Sequence, residues 1–218
     1  MEELIPYKIF ENTFLLSAHR TVFWEEEKTL ILSDLHLGKS GHFRKSGIAI
    51  PQNLYKEDLQ RLLAEVQFYQ PQKIIIVGDL FHSSMNKEHD LFLRWRKAIS
   101  RTSIHLVKGN HDILKKEWYE EAEIELHNKN LTSGNFTFTH DIKECETGPD
   151  HYCFSGHIHP GIHIAGIARQ AVTLSCFYFT ENYAVLPAFG KFTGNFIVKP
   201  KKGDAVFALV ENSIMQIQ

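Results

Sequence analysis

The stretch Ile31-Leu32-Ser33-Asp34-Leu35-His36-Leu37-Gly38 joins a run of apolar residues to a carboxylate and an imidazole two positions apart. Its apolar residues predict a buried β-strand, and Asp34 and His36 follow at the point where that strand ends. Carboxylates and imidazoles are both metal ligands, but an Asp-x-His triplet is short enough to occur by chance. The pair becomes informative only if other parts of the chain supply similar residues at similar positions.

Two further strands in the first half of the chain end in the same way. The β-branched run Lys73–Val77 leads into Gly78-Asp79, and Ser103–Val107 leads into Gly109-Asn110-His111-Asp112. Apolar residues at helical spacing separate these strands, from Tyr55 to Val66 and again from Lys87 to Ser100. The order strand, helix, strand, helix, strand predicts a parallel α/β arrangement, in which the polar residues at the carboxyl ends of the strands converge.

The second half of the chain changes to short strands with few helical stretches. Phe136–Thr139 precedes His140, and Tyr152–Ser155 precedes His157 and His159. We expect these strands to form a second sheet that packs on the first. Neither an internal repeat nor a linker is apparent, so we expect residues 1–218 to form a single domain. Later apolar runs extend the same pattern: Ala171–Leu174, Ala184–Leu186, Phe196–Val198 and Ala205–Val210.

Composition sets broad limits on function. The formal net charge is −2 and the pI is near 6.7, which argues against a large basic face that would hold nucleic acid, although a local patch can still attract phosphates. Neither a signal-peptide pattern nor a long apolar run is present, so we expect a cytoplasmic protein without a membrane partner. The three cysteines have no C-x-x-C spacing, and we expect reduced thiols rather than a disulfide framework.

The residues at the predicted strand ends form a mixed set of potential metal ligands. Carboxylate, imidazole and amide oxygen together suit manganese, iron or zinc. Seven such side chains are too many for one zinc ion, and about right for two ions that share a bridging carboxylate. The set comprises Asp34, His36, Asp79, Asn110, His140, His157 and His159.

The blocks Asp34-x-His36, Gly78-Asp79, Gly109-Asn110-His111-Asp112, His140 and Gly156-His157-x-His159 occur in the order that resembles the calcineurin-like metallophosphoesterases. The resemblance implies an α/β fold, namely a four-layer α/β/β/α sandwich of two packed mixed sheets flanked by helices. It also implies a dinuclear metal-dependent phosphodiesterase that hydrolyses its substrate with a metal-activated hydroxide. The cofactors would be two divalent ions, manganese first, with iron or zinc as alternatives.

The resemblance also assigns a role to each site residue. One metal would be held by Asp34, His36 and His159, the other by Asn110, His140 and His157, with Asp79 as the bridge. His111 matches the catalytic imidazole of the family, and Asp112 would orient it or tune its charge. The family often carries glutamate at the position of Asp112.

Two more stretches resemble the bacterial ligase-associated DNA damage response endonuclease or phosphoesterase subfamily. These are Asp34–Lys39 followed by Phe43-Arg44, and the late segment Leu186–Gly194. The resemblance implies a DNA endonuclease or nuclease of DNA repair. It further implies a functional association with an ATP-dependent DNA ligase, a helicase and an exonuclease.

Several polar residues beside the first ligands are candidates for substrate binding. Lys39, His42, Arg44 and Lys45 would contact the phosphates of a nucleic acid strand, but a solvated polar loop explains them equally well. His82, three residues after Asp79, is a further candidate for the substrate side of the site. The remaining histidines, including His19, His89, His105 and His127, are expected to be structural or exposed.

Two alternative functions remain open at this point. The first is hydrolysis of small phosphoesters, such as a cyclic nucleotide or a phosphomonoester, at the same site. The second is a non-catalytic scaffold of the same fold that binds a protein. Retention of His111 and of every expected ligand argues against the scaffold.

Overall fold

The computed structural model describes residues 4–39, 54–82, 87–145, 148–165, 171–191 and 193–218, and it contains two packed β-sheets. The first sheet has seven strands, which lie side by side in chain order. Neighbouring strands are antiparallel from the first strand to the fourth and parallel from the fourth to the seventh. The strands are β1 (Leu4–Ile9), β2 (Asn12–Ser17), β3 (Thr21–Trp24), β4 (Thr29–Leu32), β5 (Lys73–Val77), β6 (Ser103–Val107) and β7 (Ile124–His127).

Helices cover one face of this first sheet. The described residues contain α1 (Leu54–Tyr69), α2 (Lys87–Ala98) and α3 (Lys116–Glu121). Apolar side chains at helical spacing, among them Leu62 on α1 and Phe92 on α2, are fully buried against alternate residues of the strands. None of these helices, within the part of the chain that the structure describes, has the length and apolar content needed to cross a bilayer.

The second sheet has nine strands and a mixed arrangement. The strands are β8 (Asn130–Ser133), β9 (Phe136–Thr139), β10 (Tyr152–Ser155), β11 (Pro160–Ala165), β12 (Ala171–Phe179), β13 (Tyr183–Val185), β14 (Phe196–Ile197), β15 (Ala205–Val210) and β16 (Ser213–Gln216). β9, β10 and β13 are parallel neighbours, and the long strand β12 pairs with β11, β13 and β15 at different parts of its length.

An aromatic core joins the two sheets. Phe14 of the first sheet lies 5.0 Å from Phe154 and 5.1 Å from Phe136 of the second, measured between ring centroids. Phe138 stacks on Phe154 at 5.5 Å, and these four side chains are at most 1% exposed. Burial of this apolar surface is the main force that holds the sheets together. The predicted α/β sandwich of two packed mixed sheets is therefore confirmed.

The cysteines differ from expectation. Cys145 and Cys153 are paired as a disulfide, whereas we expected reduced thiols. The pairing arises because β10 runs back past the short 3-10 helix Ile142–Glu144 and brings the two Cα atoms to 6.3 Å, within the range of disulfides. Sequence spacing alone carries no sign of this return. Cys176 is a free buried thiol, and burial raises its pKa to about 12.

The aromatic core predicts the effect of a truncation. Phe154→Ala is expected to lower the free energy of unfolding by about 3–5 kcal/mol, because it leaves a cavity between the sheets. The matched control is Phe68→Ala on α1, whose side chain is 58% exposed and whose replacement should change stability by about 0.5 kcal/mol or less. Urea unfolding of both variants tests this, and equal effects would contradict the proposed importance of the inter-sheet core.

Candidate metal centre

The carboxyl ends of five strands meet at one edge of the two sheets. Asp34 follows β4, Asp79 follows β5 and Asn110 follows β6, while His140 follows β9 and the His157–His159 segment follows β10. Backbone hydrogen bonds fix these loops to one another: the amide of Asp34 donates to the carbonyl of Gly78 at 3.1 Å, and that of His36 donates to the carbonyl of Asp79 at 2.9 Å. The seven residues expected at a metal centre are thus brought together.

Three of these residues form a first cluster. The Nε2 atoms of His36 and His159 are 3.1 Å apart. Oδ1 of Asp34 lies 3.4 Å from Nε2 of His159 and 3.9 Å from Nε2 of His36. Ligands of one ion with bond lengths of about 2.0–2.2 Å are separated by about 3 to 3.5 Å, so this cluster is a candidate metal site.

A second cluster surrounds Nε2 of His140. Oδ1 of Asn110 and Nδ1 of His157 each lie 3.1 Å from that nitrogen, and Oδ2 of Asp79 lies 3.5 Å from it. Oδ2 of Asp79 is also 4.0 Å from Nδ1 of His36, so this carboxylate lies between the two clusters. Asp34 is close enough to Asp79 and His140 to belong to both groups.

In both Asp34 and Asp79, one carboxylate oxygen accepts a backbone hydrogen bond and the other faces the histidine side chains. Oδ2 of Asp34 accepts the backbone N–H of His157 at 3.0 Å, and Oδ1 of Asp79 accepts that of His111 at 2.9 Å. These contacts cross from one ligand loop to another. They leave Oδ1 of Asp34 and Oδ2 of Asp79 directed toward the imidazoles.

Backbone carbonyls orient two of the imidazoles. Nδ1 of His140 lies 3.4 Å from the carbonyl oxygen of Val77, and Nδ1 of His159 lies 3.2 Å from that of Gly194. If each Nδ1 carries the proton and donates to its carbonyl, the lone pair of Nε2 is free to bind an ion. This outer contact is the usual way in which a metal-binding histidine is fixed in one tautomer.

The chemistry of the donors fits divalent ions. Oδ1 of Asp34 and Nδ1 of His36 are buried and have no hydrogen-bond partner among the described residues. Burial lowers the pKa of His36 to about 3 despite the nearby Asp34, which keeps the imidazole neutral, as a ligand must be. Burial, the largest single influence, favours a raised pKa for Asp34, but His159, His140 and His36 together outweigh it and lower that pKa. Burial raises the pKa of Asp79.

The ligand loops have an unusual backbone conformation. Five of the seven clustered residues have φ between 50° and 68°, a region that side chains with a Cβ rarely occupy. Gly78 also has φ of 81°, and a Cβ there would overlap the ring of His140. At Gly156 the requirement is space alone, since a Cβ would lie 2.5 Å from Oδ2 of Asp34. The five residues are Asp34, His36, Asp79, His157 and His159.

His111 and His82 lie beside the clusters, on the solvent side. The His111 side chain is 39% exposed, its Nε2 is 4.0 Å from Oδ2 of Asp79, and its ring centroid is 5.6 Å from that of His36. The His82 ring lies 4.3 Å from His111 and 5.4 Å from His36. Burial lowers the pKa of Lys39, and the charges of Asp34 and Asp79 oppose that change.

Asp112 is fully buried behind the ligand loops. Its Oδ1 accepts the backbone N–H of Phe81 at 3.0 Å, and its Oδ2 accepts that of Gly109 at 2.9 Å. Burial raises its pKa to about 7, although these two hydrogen bonds oppose the shift. The carboxylate thus ties the loop after β5 to the loop after β6.

The other expected substrate contacts, His42, Arg44 and Lys45, lie outside the described residues.

Sequence reasoning missed a support behind Asp34. The segment 186–190 bridges the sheets: the amide of Leu186 donates to Ser155 at 2.8 Å, and that of Gly190 donates to the carbonyl of Asp34 at 3.1 Å. Arg20 donates to the carbonyl of Ala188 at 2.9 Å, and Arg61 donates to that of Phe189 and covers its ring at 4.1 Å. The motif Leu186–Gly194 was the only sequence feature that pointed to this segment. The two arginines lie far from it in the sequence, and no motif marks them.

The neutral state of His36 predicts an acid dependence of stability in the metal-free protein. The unfolded chain binds a proton at this imidazole near pH 6.5, whereas the folded chain does not until about pH 3. The stabilisation from His36 is therefore complete above pH about 6.5 and is lost as the pH falls toward about 3. In the presence of a chelator, the free energy of unfolding of His36→Asn should therefore fall less steeply between pH about 6.5 and about 3 than that of the wild type.

Urea unfolding at a series of pH values measures this difference, with His163→Asn as the control because His163 is exposed on β11. The same loss of unfolding free energy at low pH in the wild type and in His36→Asn would contradict the assignment of a buried neutral imidazole.

Comparison with known proteins agrees with this geometry. Residues 27–169 match the family model described as calcineurin-like phosphoesterase. The crystal structure of the Pseudomonas putida nuclease MPE has 22% sequence identity, covers 98% of this chain and 100% of its own, and superposes with a TM-score of 0.81, which shows the same fold. The E. coli phosphoesterase Yfce overlaps weakly, with 14% identity, coverage of 87% and 97%, and a TM-score of 0.42. No curated protein is detectably similar in sequence to this chain.

The family match spans well over half of the chain and includes all seven clustered residues. Two candidate ion sites lie within the matched segment, at the edge where its strands end. The chain therefore belongs to the calcineurin-like phosphoesterases and is a metal-dependent phosphoesterase.

Proposed function

We propose that the protein hydrolyses phosphodiester bonds of nucleic acid, with DNA as the substrate, at a centre that binds two metal ions. The observation that carries this proposal is the convergence of two ligand clusters on the buried carboxylates of Asp34 and Asp79. A single ion would leave one of these clusters without a cation. Family membership supports the phosphoesterase reaction, and the two clusters support the dinuclear form of it.

The contacts support a definite set of ligands for each ion. Asp34, His36 and His159 would bind the first ion. Asn110, His140 and His157 would bind the second, and Asp79 would bridge the two. The mixture of oxygen and nitrogen donors favours manganese, with iron or zinc as alternatives.

When bound, the two ions would neutralise the phosphate oxygens. They would also lower the pKa of a bound water molecule toward neutrality, so that hydroxide is available for the reaction. His111 would then act on the substrate itself. Its half-exposed ring lies at the rim of the centre, and its own backbone N–H, bonded to Asp79, fixes its position relative to the bridge. We assign to it the stabilisation of charge on the phosphate or the donation of a proton to the leaving oxygen.

The surrounding residues support this assignment in different ways. His82, whose ring packs beside His111, and Lys39 would contact a further phosphate of the strand. His42, Arg44 and Lys45 remain expected contacts to the same strand. We propose Asp112 as a positioning residue, because its two hydrogen bonds hold the loops that carry Asp79 and Asn110.

The choice of nucleic acid over a small ester rests on similarity. The fold neighbour is a nuclease, and the sequence blocks resemble those of the ligase-associated DNA damage response subfamily. We therefore propose a role in DNA repair, in one cytoplasmic domain that works with an ATP-dependent ligase, a helicase and an exonuclease. The net charge of −2 favours the second candidate, hydrolysis of a small phosphoester.

Replacing the proposed acid tests the catalytic assignment. His111→Ala is expected to lower kcat for bis-p-nitrophenyl phosphate by about 10²–10⁴-fold, because general acid catalysis is lost. Its metal content should stay unchanged, since His111 is not among the proposed ligands. His163→Ala serves as the control. Manganese-dependent turnover that survives in His111→Ala would show that another group performs this step.

A substrate panel tests the choice between the two candidate functions. The manganese-loaded protein should turn over bis-p-nitrophenyl phosphate faster than p-nitrophenyl phosphate, and should cleave single-stranded or nicked DNA. A His111→Ala preparation carried through the same purification controls for contaminating nucleases. Preference for the monoester, with intact DNA after long incubation, would favour the small-phosphoester hydrolase.

A further inference from the structure

A second group of potential metal-binding side chains lies on the last two strands of the first sheet. His105 is on β6, and Glu125 and His127 are on β7, which is the last strand of the sheet. In the parallel register His105 is paired with Glu125, and Val107 is paired with His127. Because side chains alternate along a strand, all three project from the same face, opposite to Ile104 and Leu106.

The ligand atoms form a triangle of the size that one ion requires. Nδ1 of His105 and Nε2 of His127 are 3.1 Å apart. Each lies 3.5 Å from a different carboxylate oxygen of Glu125. In a tetrahedral zinc site with bonds of about 2.0–2.1 Å, neighbouring ligands are about 3.3–3.4 Å apart. All three atoms also lie within 4.8 Å of one another.

Exposure and charge are compatible with an ion that enters from solvent. The imidazoles of His105 and His127 are 14% and 18% exposed, and the Glu125 side chain is 65% exposed. Burial lowers the pKa of His105, with smaller contributions from His127 and Lys73, and Glu125 opposes the shift. A neutral His105 offers its lone pair to a metal. Lys73, on the neighbouring strand β5, is a nearby positive charge that opposes binding.

A hydrogen-bonded histidine pair is the alternative explanation for the short nitrogen–nitrogen distance. Such a pair needs no third group, yet here a carboxylate oxygen lies at the same distance from each nitrogen. The two rings are nearly parallel, with an interplanar angle of 16°. Two histidines and one glutamate are also a recurrent donor set for zinc with an open fourth position.

We propose that His105, Glu125 and His127 bind one Zn²⁺ ion that joins β6 to the edge strand β7. The ion would hold together two strands whose other contacts are backbone hydrogen bonds and apolar packing. The site is separate from the catalytic assignment and does not depend on it.

Zinc content after chelation and reconstitution tests the proposal. Chelator-treated protein is supplied with excess zinc, desalted and analysed for metal. The wild type should retain about one more zinc ion per chain than either His127→Asn or Glu125→Gln. Glu125→Gln guards against a folding defect because its side chain is mostly exposed, and His163→Asn is the matched histidine control.

Cobalt substitution supplies an independent readout. Co²⁺ in the wild type should add the intense visible absorption of a tetrahedral ion, and His127→Asn should lack that component. Equal zinc content and equal cobalt spectra in the wild type and both folded variants would overturn the proposal. Hydrolysis by the manganese-loaded His127→Asn variant should stay within about twofold of wild type, so failure at this site is distinguishable from failure of the catalytic assignment.

Discussion

The burial of two neighbouring carboxylates is the constraint on which the rest of the site depends. Asp34 is 0% exposed and Asp79 is 2% exposed, and both carboxylates lie among imidazoles. Buried negative charges are strongly unfavourable unless cations compensate them. Imidazoles can bind metal ions that supply this positive charge. The same side chains that destabilise the metal-free fold are therefore the ones that give the holoprotein its chemistry.

The fold holds this arrangement by fixing the loops from several directions. Left-handed backbone at a residue with a Cβ costs roughly 1–3 kcal/mol and persists only where the surroundings enforce it. Here the loops after β4 and β5 are hydrogen-bonded to each other, and segment 186–190 supports Asp34 from behind. Asp112 adds a further tie between two loops. The aromatic core keeps the two sheets, and hence the two halves of the site, in register.

Much of the arrangement of the metal-binding residues can be predicted from the sequence, because the ends of apolar strands can be located in it. The runs Lys73–Val77 and Ser103–Val107 appear as β5 and β6 with the expected bounds, and the polar residues that follow them converge as parallel strands require. Weakly patterned strands were not predicted. β1 contains Pro6, and β7 is short and half polar, so neither shows the periodicity on which strand prediction depends.

Other features depend on how distant segments pack against one another, and this packing cannot be inferred from the spacing of residues in a single sequence. His105 and His127 were expected to be structural or exposed, and it is strand pairing that brings their nitrogens to 3.1 Å. Cys145 and Cys153 meet because β10 returns past a short helix. Arg20 and Arg61 hydrogen-bond to segment 186–190 from positions that no motif marks. In each case the decisive contact joins residues whose spacing has no characteristic pattern.

We propose a centre in which two ions share the carboxylates between the clusters. Electron paramagnetic resonance of the His127→Asn variant, loaded with manganese and desalted, tests it most directly without a contribution from the sheet-edge cluster. Two ions bridged by Asp79 should give the multiline spectrum of an exchange-coupled manganese pair, at about two ions per chain. A spectrum of isolated manganese alone, at about one ion per chain under saturating metal, would contradict the dinuclear centre.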